Sequence, residues 1–370
     1  MKAHDDGGRG AMSAIAVAAI ALAGAVFALL PPAERADAPL LDAQWRLLRR
    51  LDPRPAPDDI VIVGVDEASV RSIPEPRGIW HATLGRALAK IAAAKPRAIG
   101  LELPLPERSY DAVKPGLDRA LFEGLASAVE AGPLVAVLSI DARTRAAKKI
   151  HLPYLALLGE SRLGIDLASR DADGTARRFS LLVPTEDGGF PTLEGRLCRA
   201  LKRRCVDGLI QFALGEPFAY LPLKELLATS DPGVLSRLLQ DRIVLIGEVQ
   251  PFTDRIAVPL NLAGWESAAH DSPGVVVHAQ TLRTALSGVA PRQVSRLAVV
   301  VMLSLCALVF LVRDWRLAVA MGAIAAVGVA IGVLWALRGG LYVPLASILL
   351  TLAMAVAARA LVAARSRRKP

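Results

Sequence analysis

Apolar runs close both ends of this chain, and they leave its charged middle little choice of where to fold. Residues 11–30 carry no charge, enough length to cross a hydrocarbon core of about 30 Å at about 1.5 Å per residue. Residues 297–312, 317–337 and 341–362 are apolar again, separated only by Arg313-Asp314-Trp315-Arg316 and by Arg338-Gly339-Gly340. Connections that short allow helical hairpins and little else. An apolar content of 53 % with 5 % aromatic residues fits a chain with several membrane segments better than a water-soluble one.

Four crossings would put both chain ends on one side of the membrane. Arg313, Arg316 and the terminal Arg365, Arg367, Arg368 and Lys369 assign that side to the cytoplasm, while Arg292 and Arg296 pull weakly the other way. The expected division is 1–32 for a cytoplasmic N-terminus and first span, 33–293 for an extracytoplasmic domain, and 294–370 for three spans with a short basic tail. The location is then the inner (plasma) membrane, multi-pass, with the middle domain on the periplasmic side. Ala36-Asp37-Ala38 also matches a signal-peptide cleavage pattern, but the apolar run exceeds the usual ~7–15 residues and Pro39 would follow the cut. Either reading exports the middle. No ionisable residue lies mid-span, which argues against a transport path. Gly322-x-x-x-Ala326 and Gly328-x-x-x-Gly332 permit close helix packing, within the bundle or across a homodimer.

Past the first span, Leu40, Leu41, Trp45, Leu48 and Leu51 fall at helical spacing with Arg46, Arg49 and Arg50 between them, and Pro53, Pro55 and Pro57 stop the helix. Its apolar face can lie on the membrane or on the flank of the domain. Residues 60–65, Ile-Val-Ile-Val-Gly-Val, are too few for a span and lack polar alternation, so they read as a strand buried on both faces. Residues 80–94 line up Leu84, Ala87, Leu88, Ile91 and Ala92 on one helical face. Then 97–103 is a second apolar strand, 117–130 a helix and 133–140 a third strand. Strand, helix and strand at that spacing make successive βαβ units.

The later middle is less regular. Residues 162–168 and 176–185 flank Asp171-Ala172-Asp173-Gly174 and read as an antiparallel pair inserted into or extending the sheet. Asp-x-Asp-Gly also begins a calcium-loop pattern, but the third ligand and the late Glu are missing, so it reads as a turn. Residues 191–204 form a helix, 209–214 a short strand, 222–228 and 232–239 short helices, and 242–247 another doubly buried strand. A long loop reaches Pro273, and 274–288 is the last helix before the membrane. The fold class is an α/β extracytoplasmic domain, a mostly parallel sheet flanked by helices with an antiparallel insertion, plus four transmembrane helices.

Ionisable residues gather where strands end. Asp66, Glu67 and Ser69 follow the first strand, Glu102 ends the second, Asp254 follows 242–247 and His278 enters the last helix. Open parallel sheets bind ligands at their carboxyl edge, so adjacent parallel strands would bring these groups into one crevice. Carboxylates with an imidazole suit a divalent cation or a cationic or hydroxyl-rich small molecule, with no metal specified and no cofactor expected. The plainer reading is that Asp66 and Ser69 cap a helix, Asp254 closes a loop on backbone amides, and His278 is structural.

Other function classes find little support. The net charge of +9 is not organised as a basic stripe interleaved with aromatics, so nucleic acid is not an expected partner. No Gly-x-Ser-x-Gly, Gly-x-x-x-x-Gly-Lys or His-Glu-x-x-His pattern occurs, and Ser69, His278 and Asp254 make at most a formal triad, so the chain is not expected to be an enzyme. Cys198 and Cys205 lie in the exported part, where disulfides persist. Seven residues along an unbroken helix would hold their Cα atoms about 10.5 Å apart, beyond the ~7 Å limit, so a bridge requires unwinding near Arg203-Arg204.

The ordered set of motifs resembles the CHASE2 sensor proteins. The matching pieces are Leu41-Asp-Ala-Gln-Trp-Arg-Leu47, the strand ending Val65-Asp66-Glu67-Ala68-Ser69, Ala98-Ile-Gly-Leu-Glu-Leu103, Asp173-Gly-Thr-Ala-Arg177-Arg178, Ile243-Val-Leu-Ile-Gly247, the stretch from Asp254 to Pro259, and Pro273-Gly-Val-Val-Val-His278. The resemblance implies an extracytoplasmic sensory domain with one membrane helix before it and three after. Two departures stand out: only Pro76-Arg77-Gly78-Ile79-Trp80 remains of a Trp-Pro-rich element, and Glu102 replaces the family's usual Asp. Such domains are commonly fused to a cytoplasmic kinase or cyclase, and the chain closes soon after Val362 without one. The expectation is therefore a membrane-anchored sensor of an unknown small ligand that signals to a separate partner protein. The alternative is a structural or interaction protein of the cell envelope that senses nothing.

Overall fold

A computed structural model describes residues 3–57, 59–140, 147–184, 189–267 and 270–367. Thr185, Arg368 and Lys369, used in the sequence reading, lie outside the described residues. The chain divides into two compact units, residues 1–50 with 291–370, and residues 51–290. In the first unit, α1 (Ala3–Ala28) is followed at once by α2 (Pro31–Leu51). The helix expected from Leu40 thus begins earlier. Pro31 and Pro32 end one helix and open the next, since a first turn has no use for the amide hydrogens that proline lacks. The pair is bent by 79°.

The second unit is organised around a parallel sheet of six strands, four of which are those the apolar runs marked. Along the chain come β1 (Ile60–Val65), α3 (Glu67–Ser72), α4 (His81–Ala93), β2 (Ala98–Leu101), α5 (Leu117–Ala131), β3 (Leu134–Leu138), α6 (Leu152–Leu158) and β4 (Leu163–Ile165). Then follow β5 (Arg178–Phe179), β6 (Leu182–Val183), β7 (Phe190–Pro191), α7 (Leu193–Ala200), β8 (Gly208–Leu209), β9 (Tyr220–Pro222), α8 (Leu223–Ala228) and α9 (Pro232–Leu239). The unit ends with β10 (Ile243–Glu248), β11 (Arg255–Ala257), β12 (Asp271–Pro273) and α10 (Gly274–Ser287). Six strands pair in the order β4-β3-β2-β10-β1-β9, every neighbour parallel. β1 and β10 lie side by side in register, Ile60 opposite Ile243 and Val63 opposite Ile246.

Alternation along the strands separates two cores. Val63, Val65, Ile99, Leu101, Leu134, Val244 and Ile246 pack with Leu88 and Ile91 of α4 and Leu121 and Leu125 of α5. The opposite face meets α7 and α10: a Cβ placed on Gly100 would touch Leu193 and Leu197, and one on Gly247 would strike Val275. Trading that face for small residues lets α10 lie close to the strands.

The antiparallel insertion takes a different form from the expected hairpin. β4 adds to the parallel sheet beside β3, with Leu163 opposite Ala136, and its three buried apolar residues show why: a strand without alternation belongs between two layers. The turn Asp171–Gly174 closes on itself, Asp171 N to Thr175 O at 2.9 Å, and Arg177 clamps it. The following chain is redirected, so β5 pairs antiparallel with β8 and β6 with β7. Of the strand expected at 209–214, Leu209 pairs with Arg178 and Leu214 makes an isolated parallel bridge with Arg54, and β9 at the sheet edge was not anticipated. Cys198 and Cys205 are bonded, their Cα atoms 6.2 Å apart, because α7 stops at Ala200 and Lys202 takes a left-handed φ of 54°.

The rest of the first unit contains β13 (Arg292–Gln293), α11 (Arg296–Ala307), α12 (Trp315–Arg338), β14 (Leu341–Tyr342) and α13 (Leu345–Arg367). Val299, Leu303, Val333, Ile348 and Leu352 form its core, and Asp37 Oδ1 of α2 accepts the Ala346 amide at 2.7 Å. Gly322 lies against Val356, while Gly328 and Gly332 have open space beside them. Trp315–Arg338 and Leu345–Arg365 are long and apolar enough to cross a membrane, the bent α1–α2 pair passes only when taken together, and Arg296–Leu311 is a shorter apolar segment.

Candidate functional site

The carboxyl edge of the sheet places ionisable side chains where the interior would otherwise be apolar. Leu101 points into the α4–α5 core, so the next residue, Glu102, turns to the α10 side, and its amide extends the ladder by bonding Ile246 O at 2.8 Å. β4 delivers Asp166 by the same logic. Thr192 caps α7 by accepting the Gly195 amide at 3.2 Å, which sets Glu194 in the first turn. α10 starts where the Gly274 amide bonds Asp254 O at 2.8 Å, and His278 follows one turn later.

These four elements and one loop converge on the imidazole. His278 Nδ1 lies 2.6 Å from Glu194 Oε1, while Nε2 lies 3.1 Å from Asp166 Oδ1 and 3.7 Å from Glu102 Oε1. His278 is 2 % exposed and Glu102 5 %. Neither oxygen of Glu102 accepts a hydrogen bond from an N–H or hydroxyl donor; the Asp254 carboxyl lies beside it, a contact that becomes a hydrogen bond only when one of the two carboxyls holds a proton. Two glycines make the room. A Cβ on Gly247 would fall on Glu102 Oε2, and one on Gly274 would fall on Asp254 Oδ2 and come within 2.9 Å of Glu102 Oε1. Asp254 itself holds a φ of 47°, a left-handed conformation that Asp tolerates better than most residues.

Burial and charge oppose each other here. Burial alone would lower the His278 pKa, but the Glu194 charge and the hydrogen bonds to Asp166 and Glu194 outweigh it and hold it well above the ordinary value. Burial drives Glu102 well above the carboxylate range; the His278 charge opposes this, and the Asp166 and Asp254 charges reinforce it. Asp254 is raised by burial and by Asp166. The cluster therefore favours the proton on both the imidazole of His278 and the neighbouring Glu102 carboxyl.

Of the residues singled out from sequence, the structure brings together Glu102, Asp254 and His278. The other three stand at the end of β1 in a helix cap. Asp66 Oδ1 accepts the Ser69 amide at 2.7 Å and Oδ2 accepts the Tyr220 hydroxyl at 3.2 Å; burial works to raise its pKa, and these bonds hold it below the usual value. Ser69 Oγ accepts the Lys224 amide at 3.0 Å, tying α3 to α8. Glu67 is exposed and pairs with Arg71 at 3.6 Å. The formal triad does not assemble, because both ring nitrogens of His278 are taken by Glu194 and Asp166.

Asp166 and Glu194 were missed from sequence. Asp166 follows an apolar run exactly as Glu102 does, a usable signal hidden by assigning 162–168 to a hairpin. Glu194 in a helical first turn has no signature that distinguishes it from a dipole-favoured surface acid. Two surface clefts of about 410 and 520 Å³ are lined by other residues, around Arg108 and Lys148 and around Ala56 and Tyr220. The cluster is thus a tight polar spot of ionic dimensions: ligand atoms of Glu102, Asp166 and His278 all lie within 4.8 Å of one another.

A family model described as CHASE2 domain matches residues 15–312. No curated protein and no solved structure matches the chain.

Proposed function

The chain belongs to the CHASE2 domain family of extracellular sensory domains, and from that premise we propose that it is a membrane-anchored extracytoplasmic sensor whose stimulus is read at the Glu102–Asp166–Glu194–Asp254–His278 cluster. The observation that carries the reading is the gathering of five ionisable groups at the carboxyl edge of a parallel sheet, three of them, Glu102, Glu194 and His278, buried where a fold maintained for packing alone would place apolar side chains. His278 sits on α10, and the chain leaves α10 to enter α11, so a change at the imidazole has a covalent route into the apolar helices. In this reading residues 11–30 and the three apolar segments after 294 make four crossings, the basic loop and tail face the cytoplasm, and the cluster faces outside. The disulfide between Cys198 and Cys205 suits an oxidising compartment. In this reading the chain passes its state to a separate signalling protein.

Hydrogen exchange on the full chain in lipid discs tests this. Glu102→Gln mimics one state of the cluster, so the sensor reading expects altered protection both in residues 274–287 and in 291–312. Protection altered only around residue 102 would favour an envelope scaffold instead.

A further inference from the structure

We propose that Glu102, Asp166 and His278 form a binding site for a divalent first-row transition cation of the zinc class, with Glu194 holding the imidazole and Asp254 beside the open position. The proposal rests on the sensor reading only in taking this cluster as the place where the stimulus acts.

Geometry is the first argument. A tetrahedral ion with bonds of about 2.0–2.1 Å holds its ligand atoms roughly 3.4 Å apart. His278 Nε2 stands 3.1 Å from Asp166 Oδ1 and 3.7 Å from Glu102 Oε1, bracketing that edge, and the three ligand atoms lie within 4.8 Å of one another. Only modest side-chain movement would admit an ion.

The second argument is independent of the clustering. Glu102 is 95 % removed from solvent by its 5 % exposure, and both its oxygens lack an N–H or hydroxyl donor while pointing into the cluster. A buried carboxyl in that condition is costly unless something satisfies it, and the sequence had an apolar alternative at a strand end. Gly247 and Gly274 keep the space around its oxygens open, and any larger residue at either position would occupy it.

The Glu194 contact completes the pattern. Metal-binding histidines nearly always donate their second ring N–H to a carboxylate, a backbone carbonyl or water, which fixes the tautomer and turns the other nitrogen to the metal. His278 donates Nδ1–H to Glu194 Oε1 at 2.6 Å, leaving Nε2 toward Glu102 and Asp166. Imidazole and carboxyl groups bind a metal in their deprotonated forms, so affinity weakens as pH falls. One imidazole with carboxylates favours zinc-class ions over Ca²⁺ and Mg²⁺, which prefer all-oxygen shells of six or more ligands. Asp166 is only partly buried and provides the way in from solvent.

The test uses the full chain in detergent, stripped with chelator and dialysed against limiting ZnCl2. Wild type should retain one Zn²⁺ per chain in the presence of millimolar Mg²⁺ and Ca²⁺, and Glu102→Gln and His278→Gln should each weaken binding at least 100-fold. Zinc X-ray absorption on the wild type, which needs no variant to fold, should show one imidazole and oxygen donors. No retained zinc, or sulfur donors, or unchanged binding in either variant overturns the site. If zinc binds as described and hydrogen exchange in 291–312 does not respond to it, the site stands and the sensor reading falls. If zinc does not bind while 291–312 still responds to Glu102→Gln, the metal falls and the sensor reading stands.

Discussion

His278 Nδ1 stands 2.6 Å from Glu194 Oε1, and that single contact decides which ring nitrogen faces Asp166 and Glu102. Glu194 touches neither of those carboxyls through a hydrogen bond of its own, so its influence on the cluster runs through the imidazole. Glu194→Gln replaces a charged acceptor by a neutral one of the same shape. Zinc affinity should fall about 10-fold to 100-fold, the usual consequence of losing an outer carboxylate. Equilibrium dialysis at constant pH reads it, and an unchanged affinity would make Glu194 a packing residue.

Glu102 presents the opposite trade. In metal-free protein its unsatisfied carboxyl is a burden of about 1–3 kcal/mol, and Glu102→Gln removes the proton requirement while adding an amide that can donate to Asp254. The thermal midpoint at pH 8 should rise by about 2–6 °C for a unit of this size. The same substitution should abolish zinc retention. Stability gained where binding is lost separates a ligand from a structural acid, which would destabilise on replacement.

How much of this was legible in the sequence depended on whether a residue announces itself locally. Ile60–Val65 and Ile243–Glu248 did, because five of six positions in each are buried, which leaves no polar alternation and demands a layer on each side. Leu163–Ile165 is equally buried but only three residues long, too short for its pattern to compete with the turn signal of Asp171–Gly174, and Asp166 was lost with it. Asp254 and His278 are conspicuous as charges beside apolar runs. Asp66 and Ser69 are conspicuous for the same reason yet serve the cap, since a helix start and a ligand site recruit the same residue types. The disulfide turned on where α7 unwinds, which no periodicity specifies.

The turn that looked like a partial calcium loop makes its own prediction. Arg177, 2 % exposed, reaches Asp173 at 2.7 and 2.9 Å and Asp171 at 3.2 Å. Its hydrogen bonds pull the Asp173 pKa down to about 2 from an ordinary 3.8. A depressed carboxylate stabilises the fold above the unfolded value, and the contribution disappears as pH falls from about 4 to about 2. Since Asp173 is nearly half exposed, solvent screening reduces the effect to about 1 kcal/mol. Urea midpoints of the full chain across that window should drop less in Asp173→Asn than in wild type.

Cys198 and Cys205 close a short loop, seven residues apart in sequence. On the chain-entropy account such a loop contributes about 2–3 kcal/mol by restricting the unfolded state. The double replacement Cys198→Ser with Cys205→Ser should lower the unfolding free energy from urea titration by that amount, and a thiol reagent should label either cysteine of the unfolded wild-type chain only after reductant. Labelling without reductant would show that the pair is not bonded in the cell.

Four crossings remain the most consequential expectation, because among the described residues only Trp315–Arg338 and Leu345–Arg365 qualify alone by length and composition. α11 with the turn after it spans Arg296–Leu311, roughly 24 Å at 1.5 Å per residue, short of a 30 Å core. It can cross only if the bilayer thins or flanking arginines such as Arg296 and Arg313 snorkel to both interfaces. The bend of 79° between α1 and α2 leaves Met12–Ala28 to cross without help from α2, whose face carries Arg46, Arg49 and Arg50. Alkaline phosphatase, active only outside the cytoplasm, should therefore be active when fused after Gly288 or Gly340 and inactive after Asp314 or Arg367. Activity after Asp314 would mean that α11 does not cross, leaving the basic loop outside and requiring the chain to span an odd number of times.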